Sequence, residues 1–179
     1  MDEETILARI RAGDQAAFAD LIRRHQQAVC RVVRNLSPQA AEWEDVAQEV
    51  FLAAFARLDS FDPARASFRT WLLTIARNRC INELSKRRPL LTDFSGPASH
   101  PADQRSPGQD LEQAELFRRL DDALERLPLE QRTAFVLAEL EGLSLEEVGR
   151  IEGVPVGTVK SRLGRAREKL RVALADLVG

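Results

Sequence analysis

The chain has 179 residues, with 26 Lys and Arg against 28 Asp and Glu, 44% hydrophobic residues, 6% aromatic residues and no Tyr. Abundant Leu, Ala, Glu and Arg favour helices, and the shortage of aromatic residues argues against a β-sandwich or barrel. No run of about 18 apolar residues is free of charge, which excludes a membrane-spanning helix. The N-terminal sequence MDEET lacks the basic region and apolar stretch of a signal peptide. We therefore expect an all-α cytoplasmic protein with no membrane insertion.

Cysteine and histidine are too sparse to indicate a metal site or a catalytic centre. Cys30 and Cys80 stand alone among apolar helical neighbours, and His25 and His100 are far apart. No glycine-rich phosphate loop, dinucleotide-binding motif or His-Glu-x-x-His motif occurs. We expect two buried thiols in a reducing compartment, no cofactor, no metal, no catalytic residue and no enzymatic activity.

One segment interrupts the helical pattern and divides the chain. Residues 89–110 contain four of the eight prolines, two glycines and three serines, a composition typical of a flexible linker. At its longest, a segment of 22 residues spans roughly 75 Å. The sequence therefore predicts an all-α fold of two small helical domains, 1–88 and 111–179, joined by this linker.

The first half is predicted to consist of helices. Asp14 can cap a helix that begins near Gln15, and Ser37-Pro38 is a second helix start. The second helix is expected to end at Asp59-Ser60, and another to run over 68–88 until Pro89. The apolar face of the second helix comprises Val46, Ala47, Val50, Phe51, Ala54, Phe55 and Leu58. In the third, the residues expected to be buried are Leu72, Ile75, Ala76, Cys80 and Leu84.

The second half is predicted to end in a helix-turn-helix. Ser144 and Glu147 have the spacing of a capping box, which predicts a short helix to about Ile151. After a four-residue turn over 152–155, which contains Gly153-Val154-Pro155, a longer helix is expected from Val156 to Leu174. Its core-facing residues are expected to be Val159, Leu163, Ala166 and Leu170.

The net charge of −2 hides a segregation of charge. Seven basic residues stand against two acidic ones over 150–171, and six against one over 69–88. On the last helix, one line of side chains suits base edges: Thr158, Ser161, Arg162 and Arg165. A second line suits phosphates: Lys160, Gly164, Arg167 and Arg171. The alternative is a solvated cationic face, but the adjoining helix-turn-helix pattern favours DNA recognition. Because the chain as a whole is balanced in charge, we expect weak binding to free DNA without a partner.

The same segments resemble a known family. The sequences LERLPLEQR at 124–132, LSLEEV at 143–148 and PVGTVKSRL at 155–163 resemble the promoter-reading C-terminal domain of bacterial sigma factors. EDVAQEVF at 44–51 resembles the helix by which these factors bind core RNA polymerase, and FRTWLLTIARN at 68–78 resembles the helix that opens the promoter. A chain with only these two domains is similar to the extracytoplasmic-function group of the sigma-70 family. It departs from the group in reading Glu42-Trp43-Glu44-Asp45 where Asp-Ala-Glu-Asp is frequent.

The resemblance implies three sets of functional residues. The polymerase-binding strip would be Asp45, Gln48, Glu49 and Leu52, although the helix dipole alone also favours acidic residues in a first turn. Contacts to the minus-thirty-five element would be made by Thr158, Lys160, Ser161, Arg162, Arg165 and Arg167. Contacts to the melted minus-ten strand would be made by Phe61, Ser67, Phe68, Arg69, Trp71, Arg77, Asn78 and Asn82. Aromatic and cationic side chains do hold single-stranded DNA in this way, but the aromatic residues are equally compatible with a role in the core.

The function implied is that of an alternative sigma factor. Its expected partners are core RNA polymerase, promoter DNA in duplex and melted form, and an anti-sigma factor. One alternative is a helix-turn-helix regulator that binds operator DNA without polymerase, although such proteins usually need a symmetric dimer and no dimerising coiled coil is evident. The other is an enzyme with a DNA-binding appendage, for which the sequence provides no catalytic cluster.

Overall fold

The computed structural model describes residues 2–37, 43–87 and 111–175, with the backbone alone for 87 and 111–117. Throughout these residues the regular structure is helical, and no strand occurs among them. The α-helices are α1 (Glu3–Arg11), α2 (Phe18–Leu36), α3 (Trp43–Ala56), α4 (Phe68–Arg87), α5 (Leu111–Glu125), α6 (Leu129–Phe135), α7 (Leu145–Glu152) and α8 (Val156–Ala173). The predicted fold class, two helical domains with a C-terminal helix-turn-helix, is confirmed. None of the described helices is long and apolar enough to cross a bilayer.

The first half begins with a helix that the sequence analysis did not anticipate. Asp2 caps α1 by accepting a hydrogen bond from the Thr5 amide at 2.7 Å. Asp14 caps a 3-10 turn over Gln15–Ala17 that leads into α2, which confirms the predicted start. Ser37 lies at the end of α2, where its amide donates to the Val33 carbonyl. The predicted helix start at Pro38 falls outside the described residues, and α3 is described from Trp43 onward.

Helices α2, α3 and α4 pack together through the apolar faces that periodicity predicts. Val46, Ala47, Val50, Ala54 and Leu58 are buried, as are Leu72, Ala76 and Cys80. Phe51, Ile75 and Leu84 are half-buried. Phe55 is 39% exposed and meets Phe18 edge-on, with 5.0 Å between the ring centroids. The predicted faces are thus buried or half-buried, with Phe51, Ile75 and Leu84 less buried than predicted and Phe55 exposed at the margin.

A widened turn separates α6 from α7 in the second half. The helix changes at Val136–Leu140 from α to π geometry, and the Glu141 amide donates to the Val136 carbonyl. Gly142 follows with a φ of +66°, a conformation that glycine adopts without steric cost. Glu141 is buried although it lies at the end of this element.

The two halves pack against each other. One continuous apolar cluster contains residues of α2, α3 and α4 together with Val136, Leu137, Val148, Ile151 and Val159 of the second half. Helix α7 is the principal neighbour of α4 across this contact. Sequence analysis predicted two domains but no direct packing between them. The predicted linker, 89–110, lies outside the described residues, and the domain boundaries stay a prediction.

Candidate nucleic-acid interface

The turn between α7 and α8 fixes the orientation of α8 relative to α7. Gly153 ends α7 in the left-handed region, with a φ of 67°. The Val154 amide then donates to the Gly149 carbonyl at 3.0 Å, and the Pro155 carbonyl accepts from Thr158 at 2.9 Å. At the other end of α7, the Ser144 hydroxyl and the Glu147 carboxylate form the predicted capping box. These local hydrogen bonds set the angle at which α8 leaves the turn.

Helix α8 has one buried face and one polar face. Val159, Leu163, Ala166 and Leu170 are buried, as predicted. The predicted DNA contacts Lys160, Ser161, Arg165 and Arg167 are exposed, together with Gly164 and Arg171, and Thr158 is half-buried. Arg167 also lies 2.5 Å from Glu139 in the same half. A basic, solvent-facing helix surface of this kind suits contact with a DNA groove and its phosphates.

Arg162 differs from the other predicted contacts on α8. Its side chain is only 19% exposed, and its guanidinium donates to the Glu152 carboxylate at 2.7 Å. Burial raises the pKa of Glu152, and the hydrogen bond from Arg162 opposes that rise. Glu130 lies 3.8 Å from the same guanidinium. In this arrangement Arg162 holds α7 and α8 together, and its contact with DNA stays a prediction.

The aromatic residues predicted to stack on unpaired bases lie mostly inside the protein. Phe68 is 1% exposed and Phe61 is 4% exposed, whereas Trp71 is half-buried. The centroids of the Phe61, Phe68 and Trp71 rings lie 5.4–5.5 Å from one another, and the centroid of the His25 ring lies 5.4 Å from that of Phe68. Together they fix the start of α4 against α2. In this arrangement Phe61 and Phe68 serve the core, which was the alternative left open by the sequence.

The polar residues of the predicted minus-ten set are more accessible. Ser67, Asn78 and Asn82 are exposed, and Arg77 donates to the Asn78 side chain at 3.1 Å. The Ser67 hydroxyl accepts from the Thr70 amide at 3.1 Å, so it caps α4. Asn78 and Asn82 lie four residues apart on one helix and face solvent. They therefore remain the most available side chains of α4 for reading base edges.

The predicted polymerase-binding strip lies on the outer face of α3. Asp45 and Gln48 are exposed, and Leu52 is 69% exposed. Glu49 is half-buried and lies 3.2 Å from Arg79 of α4. The strip is thus accessible apart from half-buried Glu49, and its role in binding core polymerase stays a prediction.

The sequence analysis missed the acidic partners of several predicted DNA contacts, including Glu139, which pairs with Arg167. Glu141 binds Arg69 of α4, and Glu152 binds Arg162 of α8. The sequence shows a concentration of acidic residues around Glu141, but the partner lies 72 positions away. No local pattern connects residues so far apart along the chain.

Family models match both halves of the chain. The model described as "Sigma-70 region 2" matches residues 21–89, which include most of α2 and all of α3 and α4. The model described as "Sigma-70, region 4" matches residues 117–170, which include the helix-turn-helix.

Relatives and solved structures agree with this division. The chain is 36% identical to "ECF RNA polymerase sigma factor SigW" of Bacillus subtilis over 180 residues, with 96% of each chain covered. It is 35% identical to "ECF RNA polymerase sigma-E factor" of Escherichia coli over 187 residues, covering 99% of this chain and 97% of the relative. CnrH, solved in complex with the cytosolic domain of CnrY, has a TM-score of 0.71 at 30% identity, with 96% of each chain covered. The sigma factor RpoE of Bartonella quintana, solved with the anti-sigma factor NepR, has a TM-score of 0.73 at 28% identity, covering 88% of this chain and 96% of that one.

Proposed function

Because the chain belongs to the extracytoplasmic-function group of the sigma-70 family, we propose that it is an alternative sigma factor that directs core RNA polymerase to specific promoters. The observation that carries the proposal is the solvent-facing basic surface of α8, positioned by α7 for contact with a DNA groove. The exposed strip on α3 supplies a separate surface for a protein partner.

Initiation then follows as three binding steps. The strip on α3 docks on core polymerase, and α8 enters the major groove at the minus-thirty-five element. Asn78 and Asn82 of α4 contact unpaired bases at the minus-ten element. The chain catalyses no reaction, because the binding energy gained on the open strand replaces the lost base pairing. Its place of action is the cytoplasm, where its partners RNA polymerase and promoter DNA lie.

An anti-sigma factor is the third partner. Two solved structures that resemble this chain are complexes, and one of them is with an anti-sigma factor. The agreement in fold extends over both halves, so the same kind of partner can engage this chain.

Run-off transcription with purified components tests the proposal. Core polymerase and this chain together should give promoter-specific transcripts, whereas neither component alone should do so. A footprint on DNA by the chain alone, with no transcript in the presence of core polymerase, would support an operator-binding regulator instead.

Charge reversal on α3 tests the docking surface. Asp45→Arg with Glu49→Arg should abolish co-purification with core polymerase, because exposed Asp45 and half-buried Glu49 form the acidic part of the predicted strip. The matched control is Glu4→Arg with Asp122→Arg, which makes the same charge change at exposed positions elsewhere. Circular dichroism should show both variants folded. Core binding by the α3 variant at the level of the control would remove the assignment.

A further inference from the structure

A buried ion pair crosses the turn of the helix-turn-helix. Glu152 is the last residue of α7, and its side chain is 1% exposed. Arg162 lies on the second turn of α8, ten positions further along the chain. Its guanidinium donates to the Glu152 carboxylate at 2.7 Å. The two helices of the motif are thus joined by a charge-assisted hydrogen bond in addition to their apolar packing.

The Glu152 carboxylate depends on this hydrogen bond. Its Oε2 atom accepts from Arg162, whereas its Oε1 atom is buried and meets no hydrogen-bond donor among the residues that the structure describes. Burial raises the pKa of Glu152, and the negative charge of Glu130 adds to the rise, whereas the positive charges of Arg162 and Arg77 oppose it. A buried carboxylate is costly unless it is paired and hydrogen-bonded. Arg162 therefore cannot leave Glu152 without a cost in free energy.

The guanidinium of Arg162 is poorly placed to bind DNA. Its side chain is 19% exposed, against 60% for Arg167 and 70% for Arg171 on the same helix. The Glu130 carboxylate lies 3.8 Å from the second terminal nitrogen of Arg162. A DNA phosphate at this position would meet the negative charges of Glu130 and Glu152. The charge of Arg162 is thus balanced from within the protein.

The ion pair can fix the rotation of α8 about its own axis. The buried side chains of Val159 and Leu163 hold α8 against the core, but apolar contacts have no preferred direction. A charge-assisted hydrogen bond is short and directional. Successive residues of a helix point about 100° apart, so a fixed direction for Arg162 also fixes the directions of the exposed residues Ser161 and Arg165.

We propose that Arg162 is a positioning residue, which, paired with Glu152, sets the rotation of α8 and does not itself touch DNA. That rotation decides which base edges Ser161 and Arg165 reach in the upstream promoter element. The proposal rests on the proposed function, because it concerns recognition of that element by α8. It replaces the direct DNA contact that the sequence predicts for Arg162, and it gives Glu152 a part in promoter specificity.

Two variants of the full-length chain remove the ion pair without leaving a buried charge unpaired. Glu152→Leu removes the buried carboxylate and leaves Arg162 free to contact DNA. Glu152→Leu with Arg162→Met removes both charges, and an apolar pair of similar volume can replace a buried ion pair without loss of stability. Glu168→Leu is the matched control for the first variant, because Glu168 is exposed and pairs with Arg171 within α8.

The first measurement compares the affinities of each holoenzyme for two duplexes. One is a promoter recovered by selection from a random library, and the other is the same promoter with its upstream block scrambled. Both ion-pair variants should lower the ratio of the two affinities about fivefold, the size of a weaker bidentate base contact, whereas Glu168→Leu should keep the wild-type ratio. A merely structural defect reduces both affinities by the same factor and leaves the ratio unchanged. A wild-type ratio in Glu152→Leu would overturn the proposal.

The second measurement uses salt to distinguish positioning from contact. Each lost phosphate contact lowers the slope of log affinity against log salt concentration by about one. Glu152→Leu with Arg162→Met should keep the wild-type slope. Lys160→Met, at an exposed position predicted to contact phosphate, should lower it by about one. A loss of about one in the double variant would show that Arg162 contacts DNA and would overturn the proposal. Failure of the proposed function gives a different result, because the wild-type holoenzyme then has no preference between the two duplexes.

Discussion

Gly149 of α7 provides a sharp test of how the helix-turn-helix is built. The residue is buried, and a Cβ added there would lie 2.9 Å from the Val154 carbonyl oxygen of the turn. That oxygen belongs to the backbone, so a Gly149→Ala substitution must displace the turn by about 0.5 Å to restore ordinary packing. Because the turn leads directly into α8, displacing the turn should also shift the exposed basic face of α8 that is predicted to contact DNA.

The expected change in the free energy of unfolding is the sum of two opposing contributions. Alanine is favoured over glycine in a helix interior by about 1 kcal/mol. Overpacking against a rigid neighbour costs about 1–3 kcal/mol. We therefore expect Gly149→Ala to lower the free energy of unfolding by about 1 kcal/mol. Gly164→Ala in α8 is the matched control, since a Cβ there meets nothing within 4 Å, and it should raise the free energy of unfolding by about 1 kcal/mol.

Urea denaturation of the full-length chain separates the two variants. A difference of about 2 kcal/mol between them corresponds to midpoints about 1 M apart for an m value of about 2 kcal/mol/M. Binding of a promoter duplex by the holoenzyme should also weaken with Gly149→Ala. If Gly149→Ala is as stable as Gly164→Ala, the close packing of α7 against the turn does not constrain α8 and the reasoning is refuted.

Three further predictions concern single side chains. Burial opposes ionisation of Glu147, but hydrogen bonds from the Ser144 backbone, the Thr70 hydroxyl and the Ser144 hydroxyl lower its pKa. Its contribution to stability is therefore complete above the ordinary value of 4.5 and is lost as pH falls through the lowered pKa. The difference in unfolding free energy between wild type and Glu147→Gln should shrink as the pH falls below that value, and a constant difference would contradict the assignment. Burial raises the pKa of Cys80 to about 11. At pH 8, mass spectrometry should therefore find Cys80 unmodified by iodoacetamide in the folded chain and modified after denaturation. Rapid labelling of the folded chain would show that the site opens. Asn78→Ala should lower transcription about fivefold from both a matched and a pre-melted promoter, since one hydrogen bond contributes about 1 kcal/mol, and wild-type activity on both would rule out base reading by Asn78.

Local signals in the sequence predicted the parts of the fold that local interactions determine. The capping box at Ser144 and Glu147 was correct in position and in geometry. The buried face of α8 was correct at all four predicted residues, because helical periodicity depends on the segment alone. Helix α1 was missed, since its cap at Asp2 lies at the very start of the chain and its nine residues give a short pattern.

Interactions between distant segments could not be predicted in this way. Arg31 and Glu141 are 110 positions apart, and no spacing rule links them. Arg162 has the spacing of an exposed residue on α8, yet Glu152 lies across the turn and binds it. Phe61 and Phe68 illustrate the same limit, because an aromatic residue beside basic residues fits a stacking site and a core equally well. Only the packing of α4 against α2 and α7 distinguishes the two.

Selection of promoter DNA from a random library by the reconstituted holoenzyme tests the central claim most directly. The account predicts that the recovered sequences share two blocks, one in the upstream duplex and one in the region that melts. Holoenzyme formed with the Arg165→Ala variant should lose preference for the upstream block alone, because Arg165 is exposed on α8. Recovery of no sequence beyond those selected by core polymerase alone would contradict the account.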